Sequence, residues 1–393
     1  MRADHPVTTA PGAPAALAAT GIAPRPSPRP SPWDFATVNV HRGGPVLVRH
    51  PHAPLGRSLP YRRHAGDHPP SDDHTEQRLA RIRAHGWTVH LPAGSLGDTL
   101  LGLATAAGLA AAAPEQPLHY SGPRPDLMLR STLPLTSATA TTADGPHVLS
   151  TARARDATGS RFTVTPELPP TWLEPIDEHL VRVHADLPMR YYLALEQELG
   201  VRLPAEHAPA PTYRSDTVAA TVGRVVFVGA TSRPDRKDVG TDGFAALARR
   251  LAARRDGLSF RMLDAPDTGT REHELWRNLG APAAADCVDV FADAELVIGN
   301  DTGLTHLAAL TRRGDGTGPT VLGLASRHAH TKWTTGNPHH TTVGTRFSAM
   351  LSAADRCPVR DDLDDTLWGS ASAITGLPTD QVAAVAGHAA GWW

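Results

Sequence analysis

The sequence predicts an α/β protein made of two doubly wound, Rossmann-like domains that face each other across a cleft. Along both halves of the chain, short apolar β-branched runs alternate with segments of helical periodicity. Two of these runs, Trp87–Leu91 (WTVHL) and Glu295–Asn300 (ELVIGN), each lead through a turn into an Ala/Leu-rich helix. A Pro-rich stretch, Pro204–Pro211, separates the halves as a linker would.

Composition excludes several classes of protein. The 393 residues carry a net charge of -2, so bulk attraction to nucleic acid is not expected. Cys287 and Cys357 are too few for a disulfide framework, and the histidines show no metal-ligand spacing. The longest apolar run, Leu100–Ala113, is too short to span a bilayer, and the amino terminus lacks a secretory signal. We therefore expect a cytoplasmic protein without a membrane span, a nucleic-acid partner or a bound metal.

Composition also predicts four segments. Residues 1–32 are rich in Pro and Ala and are expected to be a disordered leader. Residues 33–205 form the first domain, whose irregular extension includes a hairpin around Arg42–Gly44. Residues 216–355 form the second domain, and residues 356–393 a helical segment that ends in a helix over Asp380–Ala390.

In the first half, an amphipathic helix from Glu76 leads into the Trp87–Leu91 strand, and Gly97-Asp98 then opens a helix over Thr99–Ala112. Strands are predicted at Gln116–Tyr120 and His147–Ser150, and helices at Ile176–His184 and Met189–Glu198. Asp98 has two interpretations. It is an N-cap or a carboxylate that complements the helix dipole, or it presents a carboxylate to the cleft. Spacing does not choose between them.

The second half repeats the alternation. Strands are predicted at Arg224–Gly229, Ser259–Leu263, Glu295–Asn300 and Thr320–Leu324, and helices at Thr241–Arg255, Glu272–Leu279 and Cys287–Ala292.

The turn after Glu295–Asn300 is a candidate anion site. Asp301 and Thr302 are N-cap residue types, Gly303 permits a tight turn, and apolar residues recur at helical spacing from Leu304. A helix that begins at the carboxyl edge of a parallel sheet offers unpaired N–H groups to a phosphate. Many such junctions only satisfy their own helix, but the polar His306 in the first turn favours a ligand site.

Three motifs together resemble the ADP-heptose:lipopolysaccharide heptosyltransferases of glycosyltransferase family 9. They are SLGDTLLGLATAAGL in the first half, Ala230–Arg233 with Lys237 after a strand, and NDTGLTHLAAL some sixty residues later. The resemblance extends over roughly residues 87–345, and its most specific part is D-[ST]-G-x-x-H at Asp301–His306. It implies a two-domain glycosyltransferase B-type (GT-B) fold, a nucleotide-diphosphate-sugar donor held by the second domain, inversion at the anomeric carbon, and no metal.

The resemblance also implies roles for individual residues. Asp98 matches the family's general base near the acceptor, while Thr231, Ser232 and Lys237 match its phosphate-contacting group. The turn that wraps the donor diphosphate corresponds to Asp301, Thr302, Gly303, Leu304, Thr305 and His306.

Two positions depart from the family pattern. Alanine occupies the place of the acidic residue that brackets the donor ribose, with Asp286 and Asp289 nearby, so the nucleotide stays open. The loop ASRHAHTKWTTGNP replaces a Gly-Pro-Thr turn, and its Lys332, Trp333 and Asn337 either contact the donor or lie on the surface.

These observations favour an inverting, metal-independent glycosyltransferase that moves a heptose or hexose from a donor such as ADP-heptose to a hydroxyl acceptor, here a small metabolite. The donor is a co-substrate, and no cofactor is expected. The alternatives are a nucleotide-sugar-binding protein without transfer activity and a sugar-nucleotide epimerase of the same fold.

Overall fold

The computed structural model describes residues 61–63, 87–91, 94–112, 114–140, 148–150, 162–164, 173–175, 186–188, 191, 195, 210–229, 231, 237–263, 273–326, 328–337, 339–354 and 373–393. Several predictions lie outside these residues: the leader 1–32, the hairpin near 42–44, the helices at 76–86 and 176–184, and most of the helix at 189–198.

The elements alternate along the chain as the sequence predicts. The strands are β1 (Tyr61–Arg63), β2 (Trp87–His90), β3 (Leu118–Ser121), β4 (Leu135–Thr139), β5 (Val148–Ser150), β6 (Phe162–Val164), β7 (Leu173–Pro175), β8 (Tyr213–Arg214), β9 (Arg224–Val228), β10 (Ser259–Leu263), β11 (Arg277–Asn278), β12 (Leu296–Asn300), β13 (Thr311–Arg312), β14 (Thr320–Ala325) and β15 (His340–Gly344). The helices are α1 (Leu96–Gly102), α2 (Ala104–Ala112), α3 (Pro125–Leu129), α4 (Gly240–Ala252), α5 (Ala284–Ala292), α6 (Gly303–Leu310), α7 (Arg346–Ala354) and α8 (Thr379–Ala389), with a 3-10 turn at Ile374–Gly376.

The first domain contains a five-stranded parallel sheet in the order β4-β3-β2-β5-β6. Its first strand, β2, lies in the middle, and the chain adds strands outward first on one side and then on the other. The order therefore reverses at the carboxyl end of β2, which is where open α/β sheets bind ligands. The segment that follows β2 leads into α1 and carries Asp98.

The second domain contains a six-stranded parallel sheet in the order β11-β10-β9-β12-β14-β15. Here the order reverses between β9 and β12, so the segments that follow these two strands share one edge. Lys237 follows β9 and Asp301 follows β12. All five residues of β12 are buried, as expected for a central parallel strand. The predicted α/β fold with two doubly wound domains is confirmed.

The helices cover both faces of the second sheet. α5 and α6 pack in one continuous apolar cluster with the first domain, through residues such as Phe291, Leu307 and Leu100. α4 and α8 pack on the opposite face, where Phe244, Val382 and Ala386 are buried. The C-terminal helix is therefore part of the second domain's core. None of the helices in the described segments is both long enough and apolar enough to cross a bilayer.

Several sequence-based assignments were wrong or incomplete, and strand β4 and helices α3 and α7 were also not predicted. The helix predicted over Thr99–Ala112 begins at Leu96 and is interrupted at Leu103, after a glycine of low helix propensity. The helix predicted over Glu272–Leu279 is absent: this segment forms a turn, in which the His273 ring stacks on Trp276 at 3.7 Å, and then β11. The edge strand β15 was missed because it follows a Pro/His-rich loop.

Candidate active site

The turn between β12 and α6 is held rigidly by Asn300. The Asn300 side chain is fully buried, donates from Nδ2 to Asp238 Oδ1 at 2.9 Å, and accepts at Oδ1 from the Val239 N–H at 3.1 Å. Its carbonyl accepts from Thr305 Oγ1 at 2.7 Å. These bonds fix the segment after β9 to the segment after β12. Sequence reasoning missed Asn300, although a polar residue that ends an all-apolar strand is a usable signal.

The amino terminus of α6 has free donors. Thr302 is the N-cap, with an extended backbone and no side-chain cap bond. The backbone N–H groups of Gly303, Leu304 and Thr305 donate to no acceptor among the described residues. Since such N–H groups attract anions, this turn can donate hydrogen bonds to the oxygens of a phosphate.

Lys237 and Asp301 form an ion pair at this edge. Lys237 Nζ lies 2.9 Å from Asp301 Oδ2 and 3.4 Å from the Asp301 carbonyl oxygen. Both side chains are largely buried, with exposures of 15% and 8%. Burial alone would raise the pKa of Asp301, but the charges of Lys237, His328 and His306 outweigh burial and lower it to about 2. Asp301 is therefore ionised at neutral pH, and Lys237 keeps further N–H donors for an incoming anion.

His306 is a buried imidazole beside this pair. It is 4% exposed, and its Nε2 lies 3.8 Å from Asp301 Oδ1. Burial lowers the pKa of His306; the carboxylates of Asp301 and Asp98 oppose this, and Lys237 adds to it. The ring is thus neutral at pH 7. Its Nδ1 is buried and has no hydrogen-bond partner within the described chain, which is unusual unless a ligand satisfies it.

The structure describes only some of the other residues that are predicted to contact phosphate. Thr231 lies partly buried just after β9, at the same sheet edge as Lys237. Ser232 lies outside the described residues. The chain has two lysines, Lys237 and Lys332. Lys332 is fully buried in the loop after β14.

Asp98 is not the cap of its helix. Ser95 is the N-cap of α1, and its Oγ accepts from the Asp98 backbone N–H at 3.2 Å. The Asp98 carboxylate is partly buried and makes no hydrogen bond or ion pair with the described residues. Its charge opposes the lowering of the His306 pKa that burial causes. At Tyr191 it adds to the raising of the pKa that burial causes. The N-cap interpretation of Asp98 is therefore wrong, whereas its place in the first turn of α1 still suits a carboxylate that complements the helix dipole.

Two glycines bring Asp98 and the β12–α6 turn together. A Cβ added to Gly303 would lie 2.5 Å from Leu96 Cβ and 2.6 Å from the Gly97 nitrogen. A Cβ added to Gly97 would lie 3.2 Å from His306 Cδ2. The amino termini of α1 and α6 are thus in direct contact, and Asp98 lies close enough to His306 for its charge to act on the pKa of that ring.

Two positions left open by the sequence are now placed. Asp289 receives a bidentate contact from Arg130 (2.6 and 3.0 Å) and a bond from Ser215 Oγ at 2.6 Å. It therefore links the domains and is not available to a ribose. The loop after β14 is not a surface loop, because Lys332, Thr335 and Asn337 have exposures of 0%, 1% and 7%. Within the described segments, no three His, Cys, Asp or Glu side chains gather in a group that could hold a metal.

Comparison of the sequence with protein-family models and with characterised proteins gives no match. Comparison of the structure with solved structures does give matches. A family 9 glycosyltransferase from Veillonella parvula matches with a TM-score of 0.50 and 12% identity, over 78% of this chain and 97% of the other. The chain has the fold of glycosyltransferase family 9.

Two other solved structures of this fold align with lower scores. E. coli heptosyltransferase WaaC with ADP matches at a TM-score of 0.44 and 14% identity, over 68% of this chain and 95% of that one. The iron-containing dodecameric glycosyltransferase TibC of enterotoxigenic E. coli matches at 0.44 and 16%, over 77% and 75%. At these identities the family 9 likeness is one of fold, and function has to be argued from the site.

Proposed function

We propose that this protein is an inverting glycosyltransferase that moves a sugar from a nucleotide-diphosphate donor to a hydroxyl acceptor. The observation that carries the proposal is the position of Asp98, whose carboxylate has no hydrogen-bond or ion-pair partner among the described residues and lies beside His306 and the amino terminus of α6. A protein that only binds nucleotide sugars has no need of a base opposite its phosphates.

In the proposed reaction, Asp98 takes the proton of the acceptor hydroxyl, whose oxygen attacks the anomeric carbon. The bond between that carbon and the diphosphate oxygen breaks, and the electron pair leaves with the diphosphate. Attack from the face opposite the leaving group inverts the anomeric configuration. Lys237 and the free N–H groups of Gly303, Leu304 and Thr305 stabilise the departing charge.

This leaving-group stabilisation is proposed to need no metal, because the ammonium group and the helix terminus supply the positive potential. The resemblance of the sequence motifs makes ADP-heptose the first donor to test. Asp289 is engaged by Arg130, and the exposed Asp286 is the other acidic residue near the expected ribose position, so the nucleotide stays open and UDP- and GDP-sugars belong in the same panel. The proposed acceptor is a small hydroxylated metabolite.

The proposal is tested with a matched pair of variants. Asp98→Asn removes the base and leaves the Ser95 cap, so transfer should fall by about two to four orders of magnitude with little change in Tm. Ser95→Ala removes the cap and leaves the base, so it should cost about 1 kcal/mol of stability while transfer persists. Single-turnover transfer and thermal melts are measured on both, with and without EDTA.

Three results would count against the proposal. Equal transfer rates in Asp98→Asn and the wild type would remove the base assignment. Donor binding without any product would favour the binding protein. Loss of turnover in EDTA that magnesium or manganese restores would overturn the metal-free account.

A further inference from the structure

The loop from His328 to Asn337 is a buried loop that carries polar side chains. Ala329 and Lys332 are fully buried, and Thr335 is 1% exposed. Connecting loops normally run over the surface because their polar groups need water. Several of its polar groups are satisfied within the protein, for example by the hydrogen bond of Thr335 Oγ1 with His340 Nδ1 at 3.1 Å, so a polar group in this loop that has no partner is informative.

This loop joins the two domains beside Asp98. The Lys332 carbonyl accepts from the Leu187 N–H of the first domain at 2.9 Å. The Trp333 ring packs on Leu101 and Leu187. Leu101 lies three residues after Asp98 on α1, so the two share one side of that helix. Trp333 is therefore close to the proposed base.

Trp333 also contacts His328. Its ring centroid lies 5.2 Å from that of His328, and His328 is near enough to Asp301 for its charge to lower the pKa of that carboxyl. Trp333 thus bridges from the helix of Asp98 to the surroundings of Asp301. In the proposed reaction the anomeric carbon must lie between the base and the diphosphate. In that reaction, a side chain that contacts both α1 and His328 would meet the sugar.

Trp333 also has an unused donor. Its Nε1 is buried and has no hydrogen-bond partner among the described residues, whereas buried indole N–H groups usually find one. The side chain as a whole is only partly buried, so a ligand can reach the ring, and a small shift of the covering side chains would expose Nε1 to it. Sugar hydroxyls are the acceptors that this position would meet.

We infer that Trp333 is a specificity-determining residue whose indole N–H donates to a hydroxyl of the sugar being transferred. This inference rests on the proposed function and adds to it the residue that selects the sugar. Trp333 recognises the sugar and leaves the nucleotide and the diphosphate to other residues.

The experiment compares Trp333→Phe with Trp87→Phe. Both substitutions keep an aromatic ring and remove a buried, unpartnered indole N–H, but Trp87 lies in the core of the first domain and is 3% exposed. Calorimetry measures the affinity for each nucleotide sugar that the wild type binds, from a panel of ADP-heptose, ADP-glucose, UDP-glucose and GDP-mannose, and for the matching nucleoside diphosphate. Trp333→Phe should weaken nucleotide-sugar binding about tenfold and leave diphosphate binding unchanged. Trp87→Phe should change neither.

Monodeoxy derivatives of the bound sugar identify the hydroxyl. The wild type should bind the derivative that lacks this hydroxyl about tenfold more weakly than the parent sugar. Trp333→Phe should bind the derivative and the parent with the same affinity. Nucleotide-sugar affinity that is unchanged in Trp333→Phe, or lost in parallel with diphosphate affinity, would overturn this inference alone. Failure of the wild type to bind any member of the panel would overturn the proposed function and this inference with it.

Discussion

At the residue scale, Ser95 and Asp98 at the start of α1 have different roles that the sequence alone does not distinguish. Ser95 caps the helix, and Asp98, three residues later, is left with its carboxylate directed to no structural partner. A sequence shows that both residue types suit a helix start. Only the backbone geometry shows which side chain accepts the N–H.

Lys237 gives a direct test of the anion site. Lys237→Ala should weaken binding of a nucleoside diphosphate by about 1.5–3 kcal/mol, the scale of a charge-assisted hydrogen bond. It also leaves the buried Asp301 without its cation, so a loss of stability is expected. Lys237→Arg keeps a charge for Asp301 and is the control. Calorimetry that finds the same diphosphate affinity in wild type and Lys237→Ala would exclude Lys237 from the site.

His306 predicts a pH dependence of stability. Its folded pKa lies below the ordinary value of 6.5, so below pH 6.5 the unfolded chain binds a proton that the folded ring resists. The stability associated with the neutral His306 ring is fully present above pH 6.5 and is lost as pH falls through the folded pKa.

The free energy of unfolding is therefore expected to fall more steeply between pH 7 and 5 in the wild type than in His306→Asn. His388→Asn, at the end of α8, is the control. Asp301 contributes in a separate window: its stabilisation is present above its ordinary pKa of 3.8 and lost as pH falls through about 2. Parallel curves for wild type and His306→Asn in denaturant titrations would contradict the assignment.

Most of the candidate site was predictable because its residues follow strands that the sequence makes obvious. Asp301–His306 comes directly after an apolar run, and the carboxyl ends of parallel strands share an edge. The pairing of Lys237 with Asp301, the role of Asn300 and the burial of Trp333 depend on how separate segments pack. Spacing in one chain carries no information on such distances.

At the scale of elements, the close contact between α1 and α6 depends on glycine. Gly303→Ala would place a Cβ within 2.5 Å of Leu96 Cβ and 2.6 Å of the Gly97 backbone nitrogen. Backbone cannot yield as a flexible side chain does, so the helix termini should separate.

We expect Gly303→Ala to lower stability by about 1–3 kcal/mol and to reduce transfer more than diphosphate binding, because the base moves away from the donor. Gly314→Ala is the control, since its Cβ would meet only the Thr217 carbonyl oxygen at 3.9 Å. Equal melting temperatures and rates in the two variants would show that the α1–α6 contact is not tight in solution.

The elements that were mispredicted are those with the weakest local signal. β11 has two residues, and its helix-like sequence is overridden by the His273–Trp276 stack and by Gly280 at φ 68°. β15 pairs only with β14, at the edge of the sheet. Long strands such as β9 and β12 were found because their apolar runs admit few other structures.

At the scale of the whole molecule, both sheets reverse their strand order at the point that faces the cleft. β2 is central in the first sheet, and β9 and β12 are central in the second. The residues proposed for catalysis and donor binding follow these central strands. The cleft thus lies between the points at which the two sheets reverse their strand order, and its chemistry depends on how closely the domains approach.

Arg130 of the first domain and Asp289 of the second form an ion pair that links the two domains. The bidentate pair at 2.6 and 3.0 Å is reinforced by a bond from Arg130 to the Ala285 carbonyl at 2.6 Å. The hydrogen bond from Arg130 is the main cause that lowers the pKa of Asp289. With side-chain exposures of 27% and 53%, the pair is well solvated and should add no more than about 1 kcal/mol of stability.

The pair should therefore matter more for domain approach than for folding. Arg130→Asp alone and Asp289→Arg alone each set like charges against each other, and each should lower transfer at subsaturating donor by up to about fivefold. The double exchange, Arg130→Asp with Asp289→Arg, should recover most of that loss. Arg249→Glu is the control, because its pair with Glu274 is 2.9 Å long, even more exposed, and lies wholly within the second domain. If Arg249→Glu lowered transfer as much as Arg130→Asp, the effect would belong to surface charge in general. If the double exchange recovered nothing, the pair would have no part in holding the base against the donor site.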